Sequence, residues 1–508
     1  MGDSKILDSS SLAFDSSLEV FSSPASNLGV SSIKKLIYKP NNQFSAESSV
    51  RFHIPMSGAT YLQLADTKLQ VKFRIVHGEN NPITMAGQTS SNRSKRSATA
   101  EQSQQGQTGQ GKSGTETAGT AGTAGTAGTA GTAADSGQSK DGPNLSNSPQ
   151  GLVAPVNCLF HALFDQVELI LGNQTVSNVS GYSFKAMANV LLDTSESVKN
   201  TKLKSALFEK DTSGSMNDTN LTRVASNEGL VKRYERCKNS KVVTLLGSLD
   251  LDFFKQNRLL LNNIPLTLVL NTTSNSFRLM SAEMPIPDYR IQILDYSLIL
   301  AHVQPTPTAL LAHQDLLNDS KLVRYFYIKE DLRRYTIASG SSSFFIQDMF
   351  QSRVPQRMLI YFVNSSAHSG SMEENPFYFH HHNVSEIRVT VNGETAPGGV
   401  ITTDFDNEDF AEAYESIFNT RPQNRDGNGN EVTNGITPYD YANGYFFAHI
   451  NFQPQSFAGS FFPLRNDGAV RLELKFKRPL QQTVVLMALA YMGNHIECDH
   501  ARNIYVSH

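Results

Sequence analysis

Gln166-Val167-Glu168-Leu169-Ile170-Leu171 runs directly into Gly172-Asn173 and then Gln174-Thr175-Val176. Val167, Leu169 and Leu171 fall on one face at period two, the pattern of a half-buried strand. Gly172-Asn173 supplies a tight turn, and Gln174-Thr175-Val176 starts the return strand. Upstream, Pro155 introduces a mixed apolar run over residues 156–164. Past Gly181 the period changes: Phe184, Met187, Val190 and Leu191 recur at helical spacing, and Val198, Leu203 and Leu207 follow less regularly. Residues 155–207 therefore read as strand, turn, strand, helix, helix.

The unit occurs twice. Ser385-Glu386-Ile387-Arg388-Val389-Thr390-Val391 alternates in the same way, Asn392-Gly393-Glu394 makes the turn, and Phe410, Tyr414, Ile417 and Phe418 form a short helical stripe. Val167 corresponds to Ile387, an offset of 220 residues. That is far beyond a solenoid period and implies a duplicated domain. Residues 61–76 pair by pattern with 344–363, 264–270 with 470–476, and 291–303 with 483–492, in the same order in both halves.

Seven short stretches extend the pattern: Phe160-His161-Ala162-Leu163-Phe164-Asp165-Gln166-Val167, the Gly172-Asn173 turn, Leu207-Phe208-Glu209-Lys210-Asp211-Thr212, Arg258-Leu259-Leu260-Leu261-Asn262, Asn375-Pro376-Phe377-Tyr378-Phe379, Asp440-Tyr441-Ala442-Asn443-Gly444-Tyr445 and Gly468-Ala469-Val470-Arg471-Leu472-Glu473-Leu474. In this order they resemble the double jelly-roll major capsid proteins (hexon-like) of the Polinton/Maverick–adintovirus group. The resemblance spans about residues 14–506 and leaves out 88–148. It implies an all-β fold of two tandem eight-stranded antiparallel jelly rolls with short helices in the long loops. It also implies a homotrimer whose pseudo-hexagonal capsomers tile the icosahedral shell of a double-stranded DNA virus or virus-like transposon. Neighbouring capsomers, penton and minor capsid proteins would be its partners, the virion its location and the host nucleus its assembly site.

Composition agrees with a shell protein. The 508 residues suffice for two domains with sizeable cores. A formal net charge of −3 argues against a basic nucleic-acid coat, so no strong direct nucleic-acid binding is expected. Cys158, Cys237 and Cys498 are too scattered for a disulfide framework and fit reduced thiols. No apolar run reaches the roughly 18 residues of a membrane span, so no transmembrane segment is expected. Met1-Gly2-Asp3-Ser4-Lys5-Ile6 lacks an apolar signal core and has Ile6 where myristoylation requires Ser or Thr. Asn-x-Ser/Thr triplets at Asn173, Asn271 and Asn383 read as background of an Asn/Ser-rich chain.

The expected organisation is an N-terminal arm over 1–32, a first roll over 33–303, a linker over 304–320 and a second roll over 321–508. Residues 88–148 carry Ala-Gly-Thr repeats with almost no apolar bulk and read as a disordered insert, cheap for a roll to carry because closure entropy grows only logarithmically. Arg93, Lys95 and Arg96 inside it read as a solvated basic patch or a weak nuclear-import signal. Pro305-Thr306-Pro307 breaks the closing strand, and 309–318 reads as a short linker helix. The long polar loops 202–241 and 396–439 are expected to interlock subunits.

No catalytic, cofactor-binding or metal-binding residue is expected. His380-His381-His382 would alternate across a strand and so not converge on one metal. His495, Cys498 and His500 do not have a zinc-site spacing. Asp404-Phe405-Asp406-Asn407-Glu408-Asp409 begins like a calcium loop but has Asp409 where the sharp turn needs Gly, so helix capping is the better reading. Asp426-Gly427-Asn428-Gly429-Asn430 reads as a surface loop. Walker, Rossmann, nucleophile-elbow and zinc-protease motifs are absent. The other readings are a carbohydrate-binding or hydrolytic β-sandwich, weakened by the absence of Trp, and a capsid-like host protein that no longer assembles.

Overall fold

The computed structural model describes residues 29–41, 49–55, 58–78, 81–83, 152–221, 227–420, 433–452 and 466–506. The expected insert over 88–148, the loop around Asp426 and nearly all of the expected arm lie outside these residues.

The first half contributes β1 (Val30–Tyr38), β2 (Val50–Ile54), β3 (Tyr61–His77), β4 (Phe164–Leu171), β5 (Gln174–Ser180), β6 (Val243–Gly247), β7 (Leu266–Thr272) and β8 (Tyr289–Pro305). The second contributes β9 (Val323–Ile337), β10 (Ser343–Ile346), β11 (Arg357–Asn364), β12 (Val384–Val391), β13 (Glu394–Thr402), β14 (Ala448–Asn451), β15 (Val470–Phe476) and β16 (Val484–Cys498). The first set pairs in the orders β1-β8-β3-β6 and β2-β7-β4-β5, with a short strand, Asn81–Pro82, added on β3. The second forms β9-β16-β11-β14 and β10-β15-β12-β13. Each of these eight second-half strands takes the place of the strand eight before it, and all these pairings are antiparallel; Ile504–Val506 adds a further short strand on β16. This is the jelly-roll order, twice.

The opening hexapeptide lies in β4, with Val167, Leu169 and Leu171 fully buried. Val167 pairs with Leu270 on one side and Val179 on the other. Ile387 in β12 pairs with Leu474 and Ile401 in the same way. The two hairpins close differently. Gly172 alone has positive φ (61°) in the first, whereas both Asn392 (52°) and Gly393 (90°) do in the second. These are the φ signs of II′-like and I′-like turns, which Gly-x and Asn-Gly favour.

Several boundaries differ from the sequence reading. The first strand begins at Val30, inside the stretch read as an arm. All its residues from Ser31 to Ile37 are exposed, so no alternation announces it. Strand β6 stops at Gly247, and beyond it Asp250 pairs with Lys255, which in turn reaches Glu330 of the second roll. Pro307 starts a helix here. Helix α1 (Pro307–Asn318) has Thr306 as its N-cap, where proline's fixed φ and missing N–H are tolerated.

Candidate functional site

Lys185, Asp211, Asn227, Arg233 and Asn375, all buried, gather where the two rolls meet. Four of the seven stretches quoted above lie along this seam, and two nodes of charge hold it.

The first node centres on Asp211, 1% exposed, and Arg233, fully buried. Arg233 comes from the helix Glu228–Cys237, which Asn227 caps by accepting from the Leu230 N–H. Arg233 Nη2 lies 2.7 Å from Asp211 Oδ1, and its Nε and Nη1 donate to the carbonyls of Pro155 and Glu209, each at 2.8 Å. The Asn227 amide donates to Asp211 Oδ1 at 2.8 Å. From the second roll, Asn375 Nδ2 donates to Asp211 Oδ2 at 3.1 Å and the Tyr445 hydroxyl donates to the Asp211 carbonyl at 2.9 Å. A buried carboxylate thus gains one cation and two neutral donors, which offsets its desolvation. Beside it, Lys210 Nζ lies 2.6 Å from Asp440 Oδ2, and Ser213 donates to the other carboxylate oxygen. Asp440 also closes a capping box with Thr437. Burial pushes the Asp440 carboxyl up, but the hydrogen bonds from Lys210, Ser213 and Thr437 outweigh it and hold the group below its usual range. Gly444, at φ +128°, lets the chain pass against Met216 and Tyr378, where a Cβ would collide.

The second node is a quartet. Lys185 Nζ, fully buried on the helix Tyr182–Asp193, lies 2.6 Å from Glu330 Oε2 and 3.3 Å from Asp250 Oδ2. Lys255 Nζ reaches Asp250 at 2.7 Å and Glu330 at 2.6 Å. Asn189 donates to both acids at 2.8 and 3.0 Å and accepts from the Tyr491 hydroxyl at 2.6 Å. Glu330 and Tyr491 belong to the second roll and the rest to the first. Burial would raise the Asp250 and Glu330 carboxyls; Lys185 and Lys255 more than offset it, so both acids are held below their ordinary values. Lys185 is held above its ordinary value by the same two acids, against its own burial.

A third contact uses the stretch Arg258–Asn262. The Tyr325 hydroxyl donates to the Leu259 carbonyl at 3.2 Å and accepts from the Leu261 N–H at 3.1 Å, while Arg502 donates to Asn262 at 2.9 Å.

The loops expected to interlock subunits meet each other within one chain: Lys210 Nζ donates to the Gly435 carbonyl at 2.9 Å. The histidine run does not alternate. Left-handed φ values at His382 (48°) and Asn383 (51°) fold the rings together, with centroids 4.3 Å apart for His380–His381 and 4.8 Å for His380–His382. Two of their Nδ1 atoms are engaged, His380 accepting from the His382 N–H at 2.9 Å and His381 from the Asn383 N–H at 3.0 Å. His381 also stacks on Phe405 at 3.7 Å. Burial depresses His381 and His382 to about 3. In β16, Cys498 is fully buried while His495 is partly exposed, 3.9 Å from Glu497. Asp404 accepts from the Asp406 N–H, capping a 3-10 turn, and with Asp406 pairs with Lys477 and Arg478. Among the described residues, no three His, Cys, Asp or Glu side chains gather as a metal site. The three cysteines are free and buried, and burial pushes Cys158 and Cys237 up to about 12 and Cys498 to about 11, so thiolate chemistry is suppressed. No helix among the described residues is long and apolar enough to cross a membrane.

No family model matches the chain. An uncharacterized protein of Caenorhabditis elegans is 23% identical over 339 residues, covering 66% of this chain and 77% of its own length. Among solved structures, one from the Sputnik virophage superposes with a TM-score of 0.55 at 13% identity, over 100% of this chain and 94% of that one. The mavirus major capsid protein gives 0.47 at 10% identity (100% and 97% covered), and the Faustovirus major capsid protein 0.47 at 10% (94% and 92%). The chain is a double jelly roll. Its neighbours among solved structures are viral major capsid proteins.

Proposed function

We propose that the chain is the major shell subunit of a double-stranded DNA virus or virus-like transposon of the Polinton–adintovirus kind, working as a homotrimer. The observation that carries this is the pair of rolls with one strand order, joined by buried polar nodes. A subunit welded in this way presents two similar lobes in fixed relation. Three copies about a threefold axis then present six lobes, a near-hexagonal tile usable throughout a closed shell. Neighbouring capsomers, penton and minor capsid proteins are the partners this implies. Catalysis has no place in the reading, because the charged groups of the seam are engaged with one another. The formal charge of −3 supports a shell filled with genome rather than condensed onto it.

Mass photometry at neutral pH is expected to give a species of three times the 55.9 kDa chain mass. Monomer alone across micromolar concentrations would overturn the trimer, and tight DNA binding that weakens steeply with salt would overturn the shell role. The nematode relative supports a second reading, a capsid-like protein retained in an animal genome. Electron microscopy of the expressed protein separates the two by whether particles form.

A further inference from the structure

A groove of about 620 Å³ opens between helix α1 and the two rolls. Leu259, Leu261, Leu316, Leu317, Leu322 and Val323 line it. Leu316 and Leu322 are 45% and 43% exposed, so that part of the apolar wall faces solvent. The polar rim is basic: Arg258, His313 and Lys321 border the groove, and among the described residues none that lines it is acidic.

Gly29 and Val30 also line the groove, and Gly29 is where the described chain begins. The 28 residues before it hold Phe14, Leu18 and Phe21 at i, i+4 and i+7, the anchor spacing of a helix laid into a groove. Asp15 and Glu19 repeat the spacing one residue on, and the segment's acids (Asp3, Asp8, Asp15, Glu19) outnumber its single Lys5. Residues 22–28 span up to about 25 Å when extended, enough to lead the anchors back to the mouth where Gly29 stands. Length, charge and apolar spacing thus match one occupant.

We propose that residues 12–21 dock in this groove in their own chain, with Phe14, Leu18 and Phe21 on the leucine wall and Asp15 and Glu19 toward Arg258 and Lys321. The segment then covers the junction of the rolls and helix α1. The docking does not depend on whether the chain assembles into shells.

Hydrogen exchange on the full-length chain tests it. Residues 12–21 are expected to exchange at least tenfold more slowly than a free peptide of the same sequence. Leu316→Glu, at a half-exposed wall position, should remove the protection. Phe14→Ser, which leaves the groove intact, should also remove it without changing exchange in β9. Free-peptide rates in the unaltered protein would overturn the proposal. So would protection that survives both substitutions. A Phe14→Cys/Leu316→Cys pair, oxidised, should link within one chain; a link between chains, or none, would overturn docking in the same chain.

Discussion

The two nodes of the seam hold charge by different means. Around Asp211 there is one acid and one guanidinium, and the remaining bonds come from neutral amides and a phenol: Asn227, Asn375 and Tyr445. Around Lys185 there are two acids and two ammonium groups, each acid touching both lysines. The first node depends on geometry, because Arg233 has three fixed directions to satisfy. The second depends on charge balance, because removing any member leaves an uncompensated charge. Buried rings cross the same seam, Phe184 and Phe277 against Phe377 and Phe253 against Tyr325 and Tyr327, so the lesson is that the two nodes fix polar pairing within a joint that is also apolar.

The sharpest way to break the comparison is Arg233→Met. It leaves Asp211 buried beside two carbonyls that have lost their donor, and should cost about 3–5 kcal/mol in urea unfolding. A loss under about 1 kcal/mol would mean the geometry is not what holds the first node.

Next is Glu330→Gln, which keeps the shape but unbalances the quartet and should cost about 2–3 kcal/mol. Lys185→Met with Glu330→Leu removes one charge of each sign. It should cost less than the sum of the two single changes, with a coupling of about 1–3 kcal/mol. Additive losses would show that charge balance is the wrong description.

Acid separates the nodes from the buried histidines. Burial, aided by Arg357, depresses His449 to about 3, and burial takes His161 to about 4. A histidine neutral in the folded state and charged in the unfolded one contributes fully above its unfolded value of 6.5. The contribution falls as pH drops below that value, and its loss is complete below the folded value, near 3 for His449. Stability should therefore decline from about pH 6.5 downward. His449→Gln should flatten the slope by up to about 1.4 kcal/mol per pH unit. The quartet acids act later: their depressed values mean stability present above the ordinary carboxylate range and lost only below it. An identical slope in His449→Gln would remove the histidine from the account. The smallest effect is expected at the exposed Lys232–Glu228 pair, where Lys232→Ala should cost under about 0.5 kcal/mol by thermal melting.

The repeat was legible because β4 and β12 are half-buried and end in Gly-Asn and Asn-Gly turns, so period and turn chemistry agree locally. Strand β1 was not, because its exposed residues carry no alternation. The quartet left one readable trace, Lys185 and Asn189 spaced i, i+4 on an otherwise apolar and small-residue stretch of helix. Its partners were beyond reach, since nothing local ties Asn189 to Glu330, 141 residues away, or Lys210 to Asp440, 230 away. The Leu207–Thr212 and Asp440–Tyr445 stretches stood out as short patterns, but that each completes the other is a fact of the fold alone.

The quartet also bears on how the protein is made. Lys185 emerges from the ribosome long before Glu330, and at roughly 5–20 residues per second the delay is on the order of ten seconds. Once Lys255 has also emerged, the nascent first roll has Lys185, Asp250 and Lys255 but not the second acid, and Asp211 without Asn375 or Tyr445. Synthesis therefore passes through a half-made joint with its polar side open, and stalling translation between residues 260 and 330 would display that joint to whatever chaperone the cell supplies.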